Sequence, residues 1–82
     1  MFFIATFYSH FGAIRFKRES AGKIENPKLM PVPRSLSSSC GTCVRFEAPE
    51  CYKFETDENG EIEQIVREDK GKYVTIYRAK DN

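Results

Sequence analysis

An excess of charge of either sign is missing from this sequence. The 82 residues include 13 Lys or Arg and 12 Asp or Glu, so the formal net charge at pH 7 is +1. Non-specific attraction to nucleic acid needs a surplus of Lys and Arg, and the basic residues here are scattered among acidic ones. The composition therefore argues against a nucleic-acid partner.

A long apolar segment is missing as well. The most apolar stretch, MFFIATFY at 1–8, has no basic leader and is too short for a signal-peptide core or a membrane span. A chain of this length forms a single domain, 1–82, whose small core leaves no room for a deep substrate pocket. We expect a cytoplasmic protein with no membrane partner, and any chemistry on a surface loop or at an interface with another protein.

Cysteine is scarce and odd in number. The three cysteines are Cys40, Cys43 and Cys51, and a reducing compartment disfavours structural disulfides. Reactive thiols, metal ligands and buried core residues are the roles that remain. The sequence shows no paired catalytic carboxylates, no phosphate-binding glycine loop and no Ser-His-Asp arrangement. The cysteines therefore carry most of the chemistry that the sequence suggests.

Hydrophobic patterns predict four strands and two helices. Ser9 is a suitable N-cap for the first helix and Gly22 ends it. Because Pro31 and Pro33 cannot donate ladder hydrogen bonds, the second strand must end there or run along a sheet edge. The order is typical of a ferredoxin-like βαββαβ two-layer sandwich, an α+β fold with a four-stranded antiparallel sheet and helices on one face. The predicted elements are a strand at 2–8, a helix at 10–21, strands at 28–32 and 43–48, a helix at 61–69 and a strand at 72–79.

The segment 51–70 is compatible with two structures. One is a hairpin that turns at Asn59-Gly60, a dipeptide favoured in tight turns. The other is a helix over 61–69, where three aliphatic residues recur at helical spacing. Gln, Glu and Arg dominate this segment and an acidic stretch precedes it, so we favour the helix. The alternative fold is the same sandwich with an extra hairpin at 51–66.

The stretch LMPVPRSLSSSCG at 29–41 resembles the signature of a family of small bacterial and archaeal proteins described as selenium/sulfur carrier-like. That signature joins a short strand to a Pro-Val-Pro-Arg segment and then to Ser-Ser-Cys-Gly, and the similarity extends over 2–48. The resemblance implies a ferredoxin-like fold and a role in handling selenium or sulfur. In this resemblance Cys40 corresponds to the family cysteine. The residues that correspond to the neighbouring signature positions are Pro31, Pro33, Arg34, Ser38, Ser39 and Gly41.

The residues around Cys40 also suggest a reactive thiol on physical grounds. A free cysteine has a pKa of about 8.5, so only a few per cent is thiolate at neutral pH. Arg34 supplies a cation, the serines at 37–39 supply hydroxyl donors, and Gly41 permits a turn whose backbone N–H groups converge on the sulfur. Such a setting stabilises a thiolate, a persulfide or a selenol. Cys43 then serves as a resolving thiol that closes a disulfide on Cys40.

Two other interpretations of the cysteines are weaker. The spacing of Cys40 and Cys43 is the CxxC of thioredoxin-like proteins, but there the motif opens a helix, whereas a predicted strand follows it here. A Cys₃His zinc site formed with Cys51 and His10 has suitable ligand types, but the second close cysteine pair of most zinc modules is missing. We expect no metal cofactor. The alternative function is a non-enzymatic interaction module or a zinc-stabilised adaptor with structural cysteines.

The sequence thus predicts a small thiol carrier rather than a stand-alone enzyme. Cys40 accepts sulfur or selenium and delivers it to a partner enzyme, and Cys43 is able to assist its release. The expected partners are the protein donor and the protein acceptor of the transferred atom.

Overall fold

The computed structural model describes residues 1–54, 57 and 59–79, which form one helix and one antiparallel sheet. The elements are β1 (Phe2–Phe7), α1 (His10–Glu19), β2 (Glu25–Pro31), β3 (Thr42–Glu47), β4 (Ile62–Asp69) and β5 (Lys72–Arg78). The sheet order is β2-β3-β1-β4-β5. The α+β class is confirmed, but the described residues form a five-stranded sheet with one helix, so the predicted four-stranded ferredoxin-like sandwich is wrong.

The predicted helix at 61–69 is wrong because these residues form β4. Ile65 pairs with Ala5 and Val66 pairs with Ile4, so β4 lies between β1 and β5. A strand that is buried on both faces has adjacent apolar residues, and this produced the spacing that resembled a helix. Pairing with two neighbours outweighs the helix propensity of Glu, Gln and Arg. The hairpin to β5 turns at 70–71, where both residues have positive φ. The alternative hairpin at 51–66 lies partly outside the described residues.

The first helix begins where its cap was predicted. Ser9 is extended, and its side-chain oxygen accepts a hydrogen bond from the Gly12 N–H at 3.3 Å. The helix ends at its C-cap Ser20, slightly earlier than predicted, with the Ser20 N–H donating to the Phe16 carbonyl. Gly12, Ala13 and Phe16 face the sheet and are buried. α1 therefore covers one face of the sheet. The side of the helix that points away from the sheet is exposed to solvent.

The edge position predicted from the prolines is confirmed for β2. This strand pairs with β3 on one side, and it forms the margin of the sheet on the other. Pro27 and Pro31 remove backbone donors that would attract a further strand. The strand begins earlier than predicted, at Glu25, and its register with β3 shifts before Lys28.

Alternate residues of each strand point to opposite faces of the sheet. Both faces carry a cluster of buried apolar residues. On the helix face, which α1 covers, Phe46 is fully buried and its ring centroid lies 5.5 Å from those of Phe3, Phe16 and Tyr52. The opposite side, here called the loop face, has its own cluster of buried residues. The connection between β2 and β3 covers this cluster, which comprises Ile4, Cys43 and Val66 with Met30, Val32, Leu36 and Tyr73 packed against it.

An ion pair also lies on the loop face, between β3 and β4. The Nε and Nη2 atoms of Arg45 donate to the two carboxylate oxygens of Glu68 at 2.8 and 3.0 Å. The guanidinium carbon lies 3.8 Å from the centroid of the Phe2 ring. Hydrogen bonding from Arg45 lowers the pKa of Glu68 and raises the pKa of Arg45. The pair therefore stabilises the folded state when Glu68 is ionised.

Glu68→Gln is expected to lower the free energy of unfolding by about 1 kcal/mol at pH 7, because both side chains remain partly exposed to solvent. Folding lowers the Glu68 pKa, so the stabilisation is present above the unfolded value of about 4.3 and is lost as pH falls through the folded value. Urea unfolding of both proteins at pH 7 and at about pH 3 measures the difference. A difference that stays constant between the two pH values contradicts the assignment.

Candidate functional site

The connection at 32–41, here called the Cys40 loop, is closed at its base and folded against the sheet. The Val32 N–H donates to the Gly41 carbonyl at 3.1 Å, and the Leu36 N–H donates to the Pro33 carbonyl at 3.0 Å. Gly41 has φ of 76°, a conformation that suits glycine, so the predicted turn is confirmed there. A loop whose ends are hydrogen-bonded and whose side chains pack on the sheet holds a defined shape.

Glu63, in β4, anchors the serines of the Cys40 loop. Its Oε1 accepts hydrogen bonds from Ser38 Oγ at 3.1 Å and from the Ser39 N–H at 2.9 Å, and its Oε2 accepts one from Ser39 Oγ at 2.9 Å. Ser38 Oγ also lies 3.3 Å from the Phe7 carbonyl oxygen at the end of β1. The hydroxyls of Ser38 and Ser39 therefore fix the loop to β1 and β4, and they are not bonded to the Cys40 sulfur.

The sequence patterns did not indicate two of the side chains that anchor the Cys40 loop, Glu63 and Gln64. Glu63 is one of many carboxylates in its segment, and Gln64, whose Nε2 donates to the Ser37 carbonyl at 3.2 Å, carries no motif. Both fall in the segment predicted as a helix. Their position beneath the Cys40 loop follows from the pairing of β4 with β1, which no local pattern reveals.

Cys40 lies at the rim of the sheet. Its side chain is half-buried and packs against the core of the helix face. The thiol donates to the Thr42 carbonyl at 3.4 Å. Within the described ranges no backbone N–H is hydrogen-bonded to the sulfur, so the predicted nest of amides is not formed. Cys40 is thus neither a fully exposed loop tip nor a core residue.

Cys43 is a core residue. It is fully buried on the loop face, and its thiol lies 3.7 Å from the Pro31 carbonyl oxygen, to which it donates. Burial, with a smaller contribution from the charge of nearby Cys40, raises the pKa of Cys43 to about 11. The thiol is therefore protonated at neutral pH. Because Cys40 packs toward the helix face and Cys43 toward the loop face, a disulfide between them requires the turn at Gly41 to rearrange.

The remaining candidate ligands are far apart in the fold. Cys51 is exposed and follows the end of β3 that is opposite to Cys40, whereas His10 opens α1. In the part of the chain that the structure describes, no group of three His, Cys, Asp or Glu side chains is placed to hold a metal ion. The four residues considered for a zinc site are not brought together.

The other residues predicted from the signature belong to the Cys40 loop or to its base. Arg34 is exposed in the turn between Pro33 and Leu36, and it makes no hydrogen bond or ion pair with a described residue. The structure brings into the Cys40 loop, or to its base, the predicted residues Pro31, Pro33, Arg34, Ser38, Ser39, Cys40 and Gly41.

A comparison with protein-family profiles matches residues 2–78 to the family described as "Putative Se/S carrier protein-like". The chain belongs to this family. The match extends from β1 to β5, so the region matched to the Se/S carrier-like family covers both the Cys40 loop and β4, the strand that anchors it. No curated protein and no solved structure matches the chain. Among the described residues, no helix has the length and apolar character needed to cross a membrane.

Proposed function

We propose that this protein carries a sulfur or selenium atom on Cys40 from a donor protein to an acceptor enzyme. The observation that supports this most directly is the placement of a half-buried, free thiol on a loop that is anchored to two strands. Such a thiol is within reach of a partner, while the core of the helix face shields part of it from water. Free thiols persist in reducing compartments, so a cytoplasmic location suits this function.

Loading occurs when the Cys40 thiolate attacks the terminal sulfur of a donor persulfide. The S–S bond of the donor breaks and a new S–S bond forms on Cys40. The donor cysteine leaves as a thiolate and takes up the proton that Cys40 lost. The terminal sulfur keeps its oxidation state, so the exchange needs no external oxidant or reductant. A selenium atom held by the donor as a selenosulfide is transferred by the same exchange.

Delivery is the reverse exchange with the acceptor. A nucleophile of the acceptor attacks the terminal sulfur or selenium atom, and Cys40 leaves as a thiolate. Release through a disulfide to Cys43 is less compatible with the geometry, because the Cys43 thiol is buried, protonated at neutral pH and directed to the other face of the sheet. We therefore assign the transfer to Cys40 alone and a packing role to Cys43.

Intact-protein mass spectrometry after incubation with cysteine persulfide tests this function. All proteins carry Cys51→Ser, which removes the exposed thiol outside the loop. In this background we expect the parent protein and its Cys43→Ala variant to gain one sulfur atom that dithiothreitol removes, and the Cys40→Ser variant to gain none. Cys40→Ser is expected to remain folded, with a change in unfolding free energy within about 1 kcal/mol. Equal loading of the Cys40→Ser variant and its Cys51→Ser parent would exclude Cys40 as the carrier.

A further inference from the structure

The solvent-facing side of α1 combines apolar and basic residues. Phe11 is 80% exposed and Ile14 is 50% exposed, and they lie one helical turn apart. Lys17 and Arg18 follow them and are also exposed. Neither cation forms an ion pair with a described carboxylate. An exposed apolar patch that polar residues border is a feature of interaction sites.

The first turn of α1, which contains Phe11, lies at the same end of the sheet as Cys40. From there α1 runs toward the opposite end, where β2 begins, so Lys17 and Arg18 in its last turn lie farther from Cys40. β1 leads directly into α1 and pairs with β3 so that Thr6 is opposite Cys43. The end of β1, the start of β3 and the first turn of α1 therefore lie together. The hydrogen bond between Ser38 and the Phe7 carbonyl ties the Cys40 loop to this same end, and Cys40 packs against the core that α1 covers.

The exposed charge on the side of α1 that presents Phe11 and Ile14 is positive. Arg15 forms an ion pair with Glu61 at 3.2 Å on the flank toward β4. Glu19 is the acidic residue of α1, and it lies four residues beyond Arg15 on that same flank. Lys17 and Arg18 are therefore left as cations beside Phe11 and Ile14, although the whole chain has a formal net charge of only +1. A complementary surface is apolar at its centre and acidic at its rim.

We propose that Phe11, Ile14, Lys17 and Arg18 form the docking surface for the protein partner of Cys40, and that this partner presents an apolar pocket bordered by carboxylates. The proposal rests on the carrier function. Phe11 and Ile14 enter the pocket and provide the contact energy, while Lys17 and Arg18 steer the approach. A patch of this size suits a weak and brief complex, which a transfer protein requires.

Three matched synthetic peptides serve as the probes. Each contains one cysteine in a mixed disulfide with an aromatic thiol. The first peptide has leucines and glutamates around the cysteine, the second has lysines in place of the glutamates, and the third has serines in place of the leucines. The Cys40 thiolate attacks the peptide sulfur, and absorbance follows the aromatic thiolate that leaves. The protein carries Cys51→Ser, which removes the exposed thiol outside the loop.

We expect the acidic leucine peptide to react about tenfold faster than the basic one at low salt, and this ratio to fall toward one at high salt. Lys17→Glu with Arg18→Glu should reverse the charge preference, and Phe11→Ser should remove the advantage of leucine over serine. Lys28→Glu with Lys53→Glu is the matched control, because these exposed lysines lie on β2 and beyond β3. The control should retain both preferences.

Equal rates for the three peptides, or equal losses in the control variant, would overturn the docking surface. Light scattering tests for a dimer. A dimer that Phe11→Ser converts to a monomer would assign the surface to a second copy of the chain and would also overturn the proposal. Vesicles of phosphatidylserine test for membrane binding. If the protein sediments with them and Phe11→Ser abolishes this binding, the surface is assigned to a membrane and the proposal is overturned. Persulfide loading without a peptide preference overturns only the docking surface. A peptide preference without loading overturns only the carrier function.

Discussion

Cys43 is expected to react with iodoacetamide in the native protein about a hundredfold more slowly than a cysteine in an unfolded chain. Folding raises the pKa of its thiol from 9.0 to about 11, and each pKa unit reduces the thiolate fraction at neutral pH about tenfold. Complete burial slows the reagent further. The measurement uses the Cys40→Ser/Cys51→Ser variant, in which Cys43 is the one thiol left, with and without denaturing urea.

The matched control is Cys40→Ser/Cys43→Ser, which leaves the exposed Cys51. Urea should change its rate far less. A second readout is stability against pH. Because the Cys43 pKa is raised on folding, the stabilisation from its protonated form is complete below about pH 9 and is lost as pH rises toward about 11. Fast alkylation of native Cys43 would show that its thiol opens to solvent, and the disulfide route of release would regain support.

Glu63→Ala is expected to free the Cys40 loop from β4 and to lower the free energy of unfolding by about 2 kcal/mol. Ser38 Oγ, the Ser39 N–H and Ser39 Oγ all lose the same carboxylate acceptor. Hydrogen bonds to a charged group contribute about 1.5–3 kcal/mol each when buried, and less at a partly exposed site such as this one. Urea unfolding measures the loss, and hydrogen exchange of the Ser39 amide reports the release of the loop.

Release of the loop should also change the chemistry at Cys40. A more mobile loop no longer holds the sulfur against the helix-face core, so we expect Cys40 alkylation to become severalfold faster. Glu63→Gln keeps one acceptor oxygen and should give an intermediate result. Glu50→Ala, at an exposed carboxylate after β3, is the control and should behave like the wild type. Unchanged Ser39 exchange in Glu63→Ala would mean that packing of Val32 and Leu36 is sufficient to hold the loop.

The sequence by itself determined the features that depend on near neighbours. Ser9 caps α1 through a residue three positions away, and the prolines of β2 restrict their own backbone. Gly41 adopts the positive φ that its turn requires. The signature at 29–41 was sufficient to indicate the family, which the match over 2–78 confirms. Each of these signals acts within a few residues, so a linear pattern contains it.

Only the tertiary structure decided the features that depend on distant partners. Residues 61–69 form a strand because β1 and β5 are available on both sides. That strand then places Glu63 beneath Ser38 and Ser39, which lie 25 and 24 residues away from it in the sequence. No sequence motif joins these residues. The two thiols of the CxxC motif differ because one packs at the rim and the other in the core. Burial sets a thiol pKa through desolvation, and burial is a property of the assembled sheet and loop.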